Sequence, residues 1–397
     1  MTTQVSLQAP TRVAANAVVK ERAGARMLFA DNLRLFLIIT LVAFHLAITY
    51  GAEASWFYKE RPAEMVSAMV LTVFIALTQA YFMGLFFLLA GYFTPGALDR
   101  KGTLLFLKDR LIRLGIPLAV YGLLFSPFVE AVKGTQEGWL AGPLGQAFLA
   151  RWQAHAFTPG PLWFVEALLV FSFAYALERA ALSKLRPSKA VSGRRVLLTQ
   201  GIILAGVLAI LVATFVTRIA SPVGTEWKHL MLGAFPQYII LFAAGILAKR
   251  NNWLPDIATP IRRTWSIIAI VGLIAFPVMM VALGAADDTA PFMGGATWQS
   301  LLYSTWEAFY AVAMCIALLG LFRRRFDHQS KLAAAMAGDA YTVYIVHAPI
   351  IVALGMLLGG IALFPLLKWA LVVPVAVALC FGVSHLIRRI PYATRVL

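Results

Sequence analysis

Runs of about twenty predominantly apolar residues recur along this chain of 397 residues, and no other feature restricts its fold as strongly. A window of about 19 residues marks ten of them, at approximately 33–50, 67–92, 112–131, 161–179, 197–217, 230–248, 265–284, 300–321, 332–357 and 365–387. Hydrocarbon offers backbone groups no hydrogen-bond partner, so segments this long and this continuously apolar span as helices. The sequence therefore predicts an all-α polytopic membrane protein with about ten transmembrane helices. Composition agrees, because 61% hydrophobic and 13% charged residues leave too little charge for a soluble surface. The sixth and ninth spans contain Pro236 and Pro349 and are expected to kink.

Orientation follows from the 34 Lys and Arg residues. When alternate loops are assigned to opposite sides, one side holds only Lys59, Arg61, Lys133, Arg151, Arg218, Lys228 and Lys368, and all the others fall on the opposite side. The positive-inside rule then puts both termini in the cytoplasm, as an even number of crossings requires. The reading divides the chain into a flexible basic tail at 1–30, one membrane domain at 31–390 and a short cytoplasmic tail at 391–397. Residues 1–26 contain no apolar core of a secretory signal. The net charge of +16 is largely this topology signal and gives no reason to expect nucleic-acid binding. Cys315 and Cys380 both lie inside apolar segments, which supports neither a disulfide framework nor a Cys-based metal site.

With helix directions assigned, polar residues can be placed by depth. Arg34 and His45 are separated by ten residues in the first span, so at about 100° per residue they return to one face, roughly 16 Å apart along the axis. Arg34 can sit at one membrane surface while His45 reaches the interior. Counted the same way, His45, His347, Glu166 and Glu307 all fall roughly 18–22 Å from the cytoplasmic face. Ionisable groups at such depth face the bundle interior and pair with one another, so these four define a buried polar centre. Tyr303, Tyr310 and Met314 share the face of Glu307, and Tyr341 and Tyr344 precede His347 at successive i−3 steps. His347 fits a satisfied core histidine equally well, and the two glutamates fit a structural interhelical pair. No HExxH-like spacing accompanies the histidines, and no metal is expected.

The Arg34-to-His45 spacing, FFLLAGYF at 86–93, RLIRLGIPL at 110–118, PLWFVEALL at 161–169 and YTVYIVHAPI at 341–350 occur in an order that resembles the acyltransferase-3 family of membrane O-acyltransferases. The wording of DNLRLFLIITLVAFHLAITYG and of GGATWQSLLYSTWEAF at 294–309 is most similar to the family's glucan-modifying branch. Some members of that branch carry a histidine pair where this chain has Phe44 and His45, and many family members add a soluble SGNH-type domain. With the chain ending at Leu397, the expectation is that the membrane bundle acts alone.

The resemblance implies transfer of an acyl group, acetyl or succinyl, from cytoplasmic acyl-CoA to a hydroxyl of an extracytoplasmic glycan or related acceptor, in a bacterial cytoplasmic membrane. Arg34, Arg110 and Arg113 are expected to hold the donor's phosphates, since guanidinium forks suit phosphate oxygens. His45 is expected to act as general base, with Glu307 or Glu166 orienting it. His347, Tyr344, Trp163 and Tyr310 are expected to line the acceptor site. A reading of another class remains: a proton-coupled transporter or flippase of an anionic or glycan-linked substrate, with the buried His and Glu residues as its relay.

Overall fold

The computed structural model describes residues 27–60, 64–154, 158–185, 195–285 and 287–397. Most of the expected basic tail lies outside them, but its last residues, from Leu28, already belong to the first helix. The described residues form helices and no strand beyond one isolated bridge, Trp227 to Leu230. Among the described residues ten spans are long and apolar enough to cross a membrane, and each overlaps one expected from sequence.

The helix α1 (Leu28–Thr49) is the axis of the bundle. It packs against α2 (Met65–Gln79), α10 (Trp298–Arg325), α11 (Lys331–Leu358) and α12 (Pro365–Arg388). Its Leu33, Leu37, Val42 and Leu46 are fully buried, so the helix is apolar nearly all round because it has neighbours nearly all round. Asn32 fixes its start: the side-chain amide donates to the carbonyls of Phe326 and His328, at 2.7 and 2.8 Å, beyond the end of α10. Glu64 caps α2, accepting from the backbone N–H groups of Val66 and Ser67, and these donors hold its carboxyl below the ordinary range.

The second span is two helices. It breaks at Ala80 and Tyr81, between α2 and α3 (Phe82–Lys101), and the Ala80 carbonyl released there accepts from Gln237 Nε2 at 2.8 Å. The partner lies far away in sequence, on α8 (Phe235–Asn251). The third span, α4 (Thr103–Glu137), widens into π-helical turns at Leu111–Gly115 and Tyr121–Phe125. Such insertions recur at functional sites, and the first of them contains Arg113. After α4, α5 (Leu144–Gln153) folds back on it, and then come α6 (Trp163–Leu185), α7 (Gln200–Ala220) and, beyond α8, α9 (Thr259–Ala282). Pro236 lies in the first turn of α8, where a missing N–H is tolerated, so the kink expected there does not arise; Pro349 is inside α11.

Two glycines bring α3 and α8 into contact. A Cβ on Gly91 would stand 2.1 Å from the Phe242 carbonyl oxygen, and one on Gly245 would stand 2.1 Å from that of Leu88. Neither oxygen can move away without shifting a helix. Gly91→Ala or Gly245→Ala is therefore expected to destabilise the bundle by about 1–3 kcal/mol or more. The check is the thermal midpoint of detergent-solubilised protein, with Gly206→Ala, where nothing lies within 4 Å, as the substitution that does not lower it.

Candidate active site

Where α1 nears its end, three rings gather. The imidazole of His45 lies 4.1 Å from the Trp56 ring, nearly parallel to it, and 5.0 Å from the imidazole of His347 on α11. Phe44 closes the edge of His45 and packs on Phe82 at the start of α3. Three buried polar atoms in this stack, His45 Nδ1, Trp56 Nε1 and His347 Nε2, have no hydrogen-bond partner among the described residues. A buried polar group left unpaired costs about 1–3 kcal/mol, so their gathering in one place suits groups that meet a substrate.

The protonation pattern of His347 follows from its one partner. Its Nδ1 lies 2.7 Å from the Tyr344 carbonyl oxygen, which can only accept, so Nδ1 carries the proton and Nε2 of the neutral ring is a lone pair. Tyr344 in turn donates its hydroxyl to the Pro161 carbonyl, and Tyr341 donates to the Arg113 carbonyl at 2.7 Å. The Tyr341, Tyr344, His347 ladder thus joins three stretches that are far apart in sequence: the RLIRLGIPL turn, the PLWF turn and the paired imidazoles. Trp163, beside this ladder, stacks on Tyr238 at 5.5 Å, and Phe164 packs against Tyr344.

Trp56 is held by the loop that follows α1. Glu60 receives two bonds from the buried Lys368 ammonium, at 2.6 and 2.8 Å, and Lys368 also donates to the carbonyls of Leu358 and Ile361. The Gln136 side chain accepts from the Lys59 N–H at 3.0 Å. This loop is thereby fastened to α4, α11 and α12 while its tryptophan covers His45.

The arginines expected to bind the donor occupy different settings. Arg34 lies over the Phe93 ring at 4.4 Å and within 3.3 Å of Asp31, so the last residue of FFLLAGYF supports the first residue of the Arg-to-His face. Arg110 is half-buried over Phe106, its Nε without a hydrogen-bond partner, whereas Arg113 is exposed beside Asp109 at 3.5 Å.

Glu307, Glu166 and Tyr310 stand in other surroundings. Glu307 forms a buried ion pair with Arg218 of α7 at 2.6 Å, and that guanidinium also donates to the Gly233 carbonyl. Glu166 pairs with His229 at 2.7 Å. Tyr310 stacks on Trp306, whose Nε1 donates to the Gly272 carbonyl of α9. The four ionisable groups expected in one slab therefore resolve into a histidine pair and two carboxylates with cationic or imidazole partners of their own. Trp56, Arg218, His229 and Lys368 were not singled out by sequence. Arg218 carried a usable signal, since it sits in the last turn of an otherwise apolar span, but Trp56 lies in a loop with no periodicity.

Among the described residues no group of three or more His, Cys, Asp or Glu side chains gathers as a metal site. The chain is a helical membrane bundle with two imidazoles side by side near the end of its central helix. Residues 27–385 match the acyltransferase domain of the acyltransferase-3 family, and the chain belongs to that family of membrane acyltransferases. It is similar to glucans biosynthesis protein C of Salmonella agona (strain SL483), at 24% identity over 336 residues that cover 82% of both chains. The protein of the same name from Escherichia coli (strain K12) is 31% identical over 118 residues, or 29% of each chain. No solved structure matches.

Proposed function

We propose that this protein is an O-acyltransferase of a bacterial cytoplasmic membrane, with both termini inside, that moves an acetyl or succinyl group from cytoplasmic acyl-CoA to a hydroxyl of an extracytoplasmic glycan. The observation that carries the reading is the stack of Trp56, His45 and His347, with its three unpartnered buried polar atoms. The similarity to proteins named for glucan biosynthesis supports a glycan as acceptor.

In this reading the donor's phosphates rest on Arg34, Arg110 and Arg113, and the thin acyl-pantetheine arm runs inward along α1. His45 takes the proton of the acceptor hydroxyl as its oxygen attacks the thioester carbonyl; the C–S bond breaks, and the thiolate receives that proton. His347, its own proton committed to the Tyr344 carbonyl, turns a lone pair toward the same space and accepts a hydrogen bond from the hydroxyl or from the imidazolium. Trp56, with its face on His45, limits water at the thioester, where water would compete with the acceptor.

Two measurements test this. Mass spectrometry of extracytoplasmic glycans is compared between cells lacking the protein and cells given the chain back. An acetyl or succinyl increment that returns with the chain names both the acyl group and the acceptor, whereas glycans modified identically in both strains remove this acceptor class. In vesicles with labelled acyl-CoA, Arg113→Ala is expected to raise the KM for the donor about tenfold at nearly constant kcat, the pattern of an interaction that binds without taking part in bond making. A fall in kcat alone would place Arg113 elsewhere in the reaction.

A further inference from the structure

At the end of the bundle that carries Thr259 and Arg325, α9 and α10 line a cleft of about 490 Å³. Its walls carry Arg262 and Arg263 from α9 and Arg324 and Arg325 from α10, and no carboxylate lines it. None of these four guanidinium groups has an acidic partner among the described residues, whereas the neighbouring Arg323 pairs with Asp327 at 2.8 Å. A topology signal asks only that cations lie on one side of the membrane; it does not ask that four of them converge on one hollow.

The local backbone makes the convergence more demanding. Ala258, at the N-terminus of α9, supplies no side-chain cap, and Arg262 and Arg263 follow within about a turn, near the end where the helix dipole disfavours positive charge. Gly320 seats one of them: a Cβ there would stand 2.5 Å from Arg262 Cδ, so only glycine lets that stem lie flat on α10. Arg262 is further held by a bond to Thr259 Oγ1 at 3.2 Å. A chain with these features has gathered donors for an anion with several oxygens, and a phosphate group fits them.

The setting indicates where the phosphate comes from. Of the ten spans α9 is the least buried, and from the cleft its exposed Ile267, Ile270, Val271 and Ile274 continue along one helix face. We infer that the cleft binds the headgroup of an anionic phospholipid, whose acyl chains lie along that face of α9. None of Arg34, Arg110 and Arg113 lines it, so the inference stands apart from the proposed donor site.

The test uses native mass spectrometry of the full chain in detergent, titrated with phosphatidylglycerol and with phosphatidylcholine of the same chain length, and a parallel titration with inorganic phosphate. Phosphatidylglycerol is expected to occupy one site about tenfold more tightly than phosphatidylcholine and to raise the thermal midpoint of the unaltered protein where phosphatidylcholine does not. Arg262→Gln with Arg324→Gln should abolish that preference, while Lys331→Gln with Arg395→Gln, which removes equal charge elsewhere, should keep it. Equal binding of the two lipids, or equal losses in the two double variants, would overturn the inference. Displacement of phosphatidylglycerol by millimolar inorganic phosphate would make the ligand a free anion and overturn the lipid assignment.

Discussion

His45→Ala is expected to lower acyl transfer by at least about 10²-fold while leaving the amount of membrane-inserted protein unchanged. The stack explains why activity and stability should separate. The His45 imidazole is bonded to no other side chain, and the helix that carries the residue is held by Leu33, Leu37, Val42 and Leu46, all fully buried, and by the Asn32 bonds at its start. Removing the imidazole takes away the proposed base and leaves the Trp56 ring facing a space that water can fill. His347→Ala should also reduce transfer, but it additionally removes a fully buried ring and its bond to the Tyr344 carbonyl, so some loss of thermal stability is expected to accompany it. Transfer to glycan, normalised to membrane protein, and the thermal midpoint of each purified variant are the measurements. Normal transfer by His45→Ala would exclude it as the base.

The second large effect concerns Arg218 and Glu307. Arg218→Met leaves a buried carboxylate without its counter-charge, and breaking such a pair from one side costs about 3–5 kcal/mol. Little or no folded protein is expected. Replacing both partners, Arg218→Met with Glu307→Leu, removes the uncompensated charge and should restore most of the stability, because a buried ion pair is itself worth little against well-packed apolar side chains. The double variant also separates two roles for Glu307. If the carboxylate serves the fold through Arg218, the stable double variant transfers acyl groups; if it orients the imidazole of His45, the double variant is stable and inactive. With the carboxylate 2.6 Å from Arg218 Nη2, the first outcome is the expected one.

Spans and polar pairings are written into the sequence to different degrees. Each of the ten spans was visible because backbone satisfaction in lipid is a local requirement, met within about twenty consecutive residues. That His45, His347 and Tyr344 lie inside the bundle was legible for a related reason: an ionisable group inside a span faces inward, and the helical period says which neighbours share its face. Period and depth say nothing about which helix stands opposite. Glu166 and Glu307 were placed at nearly the same depth as His45, yet their partners are His229 in a loop and Arg218 on α7. The break at Ala80 was hidden similarly, because the group that satisfies its carbonyl, Gln237, is contributed by α8.

By itself the sequence determined that this chain is a helical membrane bundle, where its ten candidate spans fall, and its membership of an acyltransferase family whose match extends over most of its length. Tertiary structure alone decided that His45 stacks on Trp56 beside His347, that Glu307 and Glu166 take Arg218 and His229, and that four arginines from two helices share one cleft. The division has a physical cause. Burial in hydrocarbon acts on each segment separately and so is written into each segment, whereas pairing depends on the rotation and packing of helices whose contacts join residues far apart in the chain.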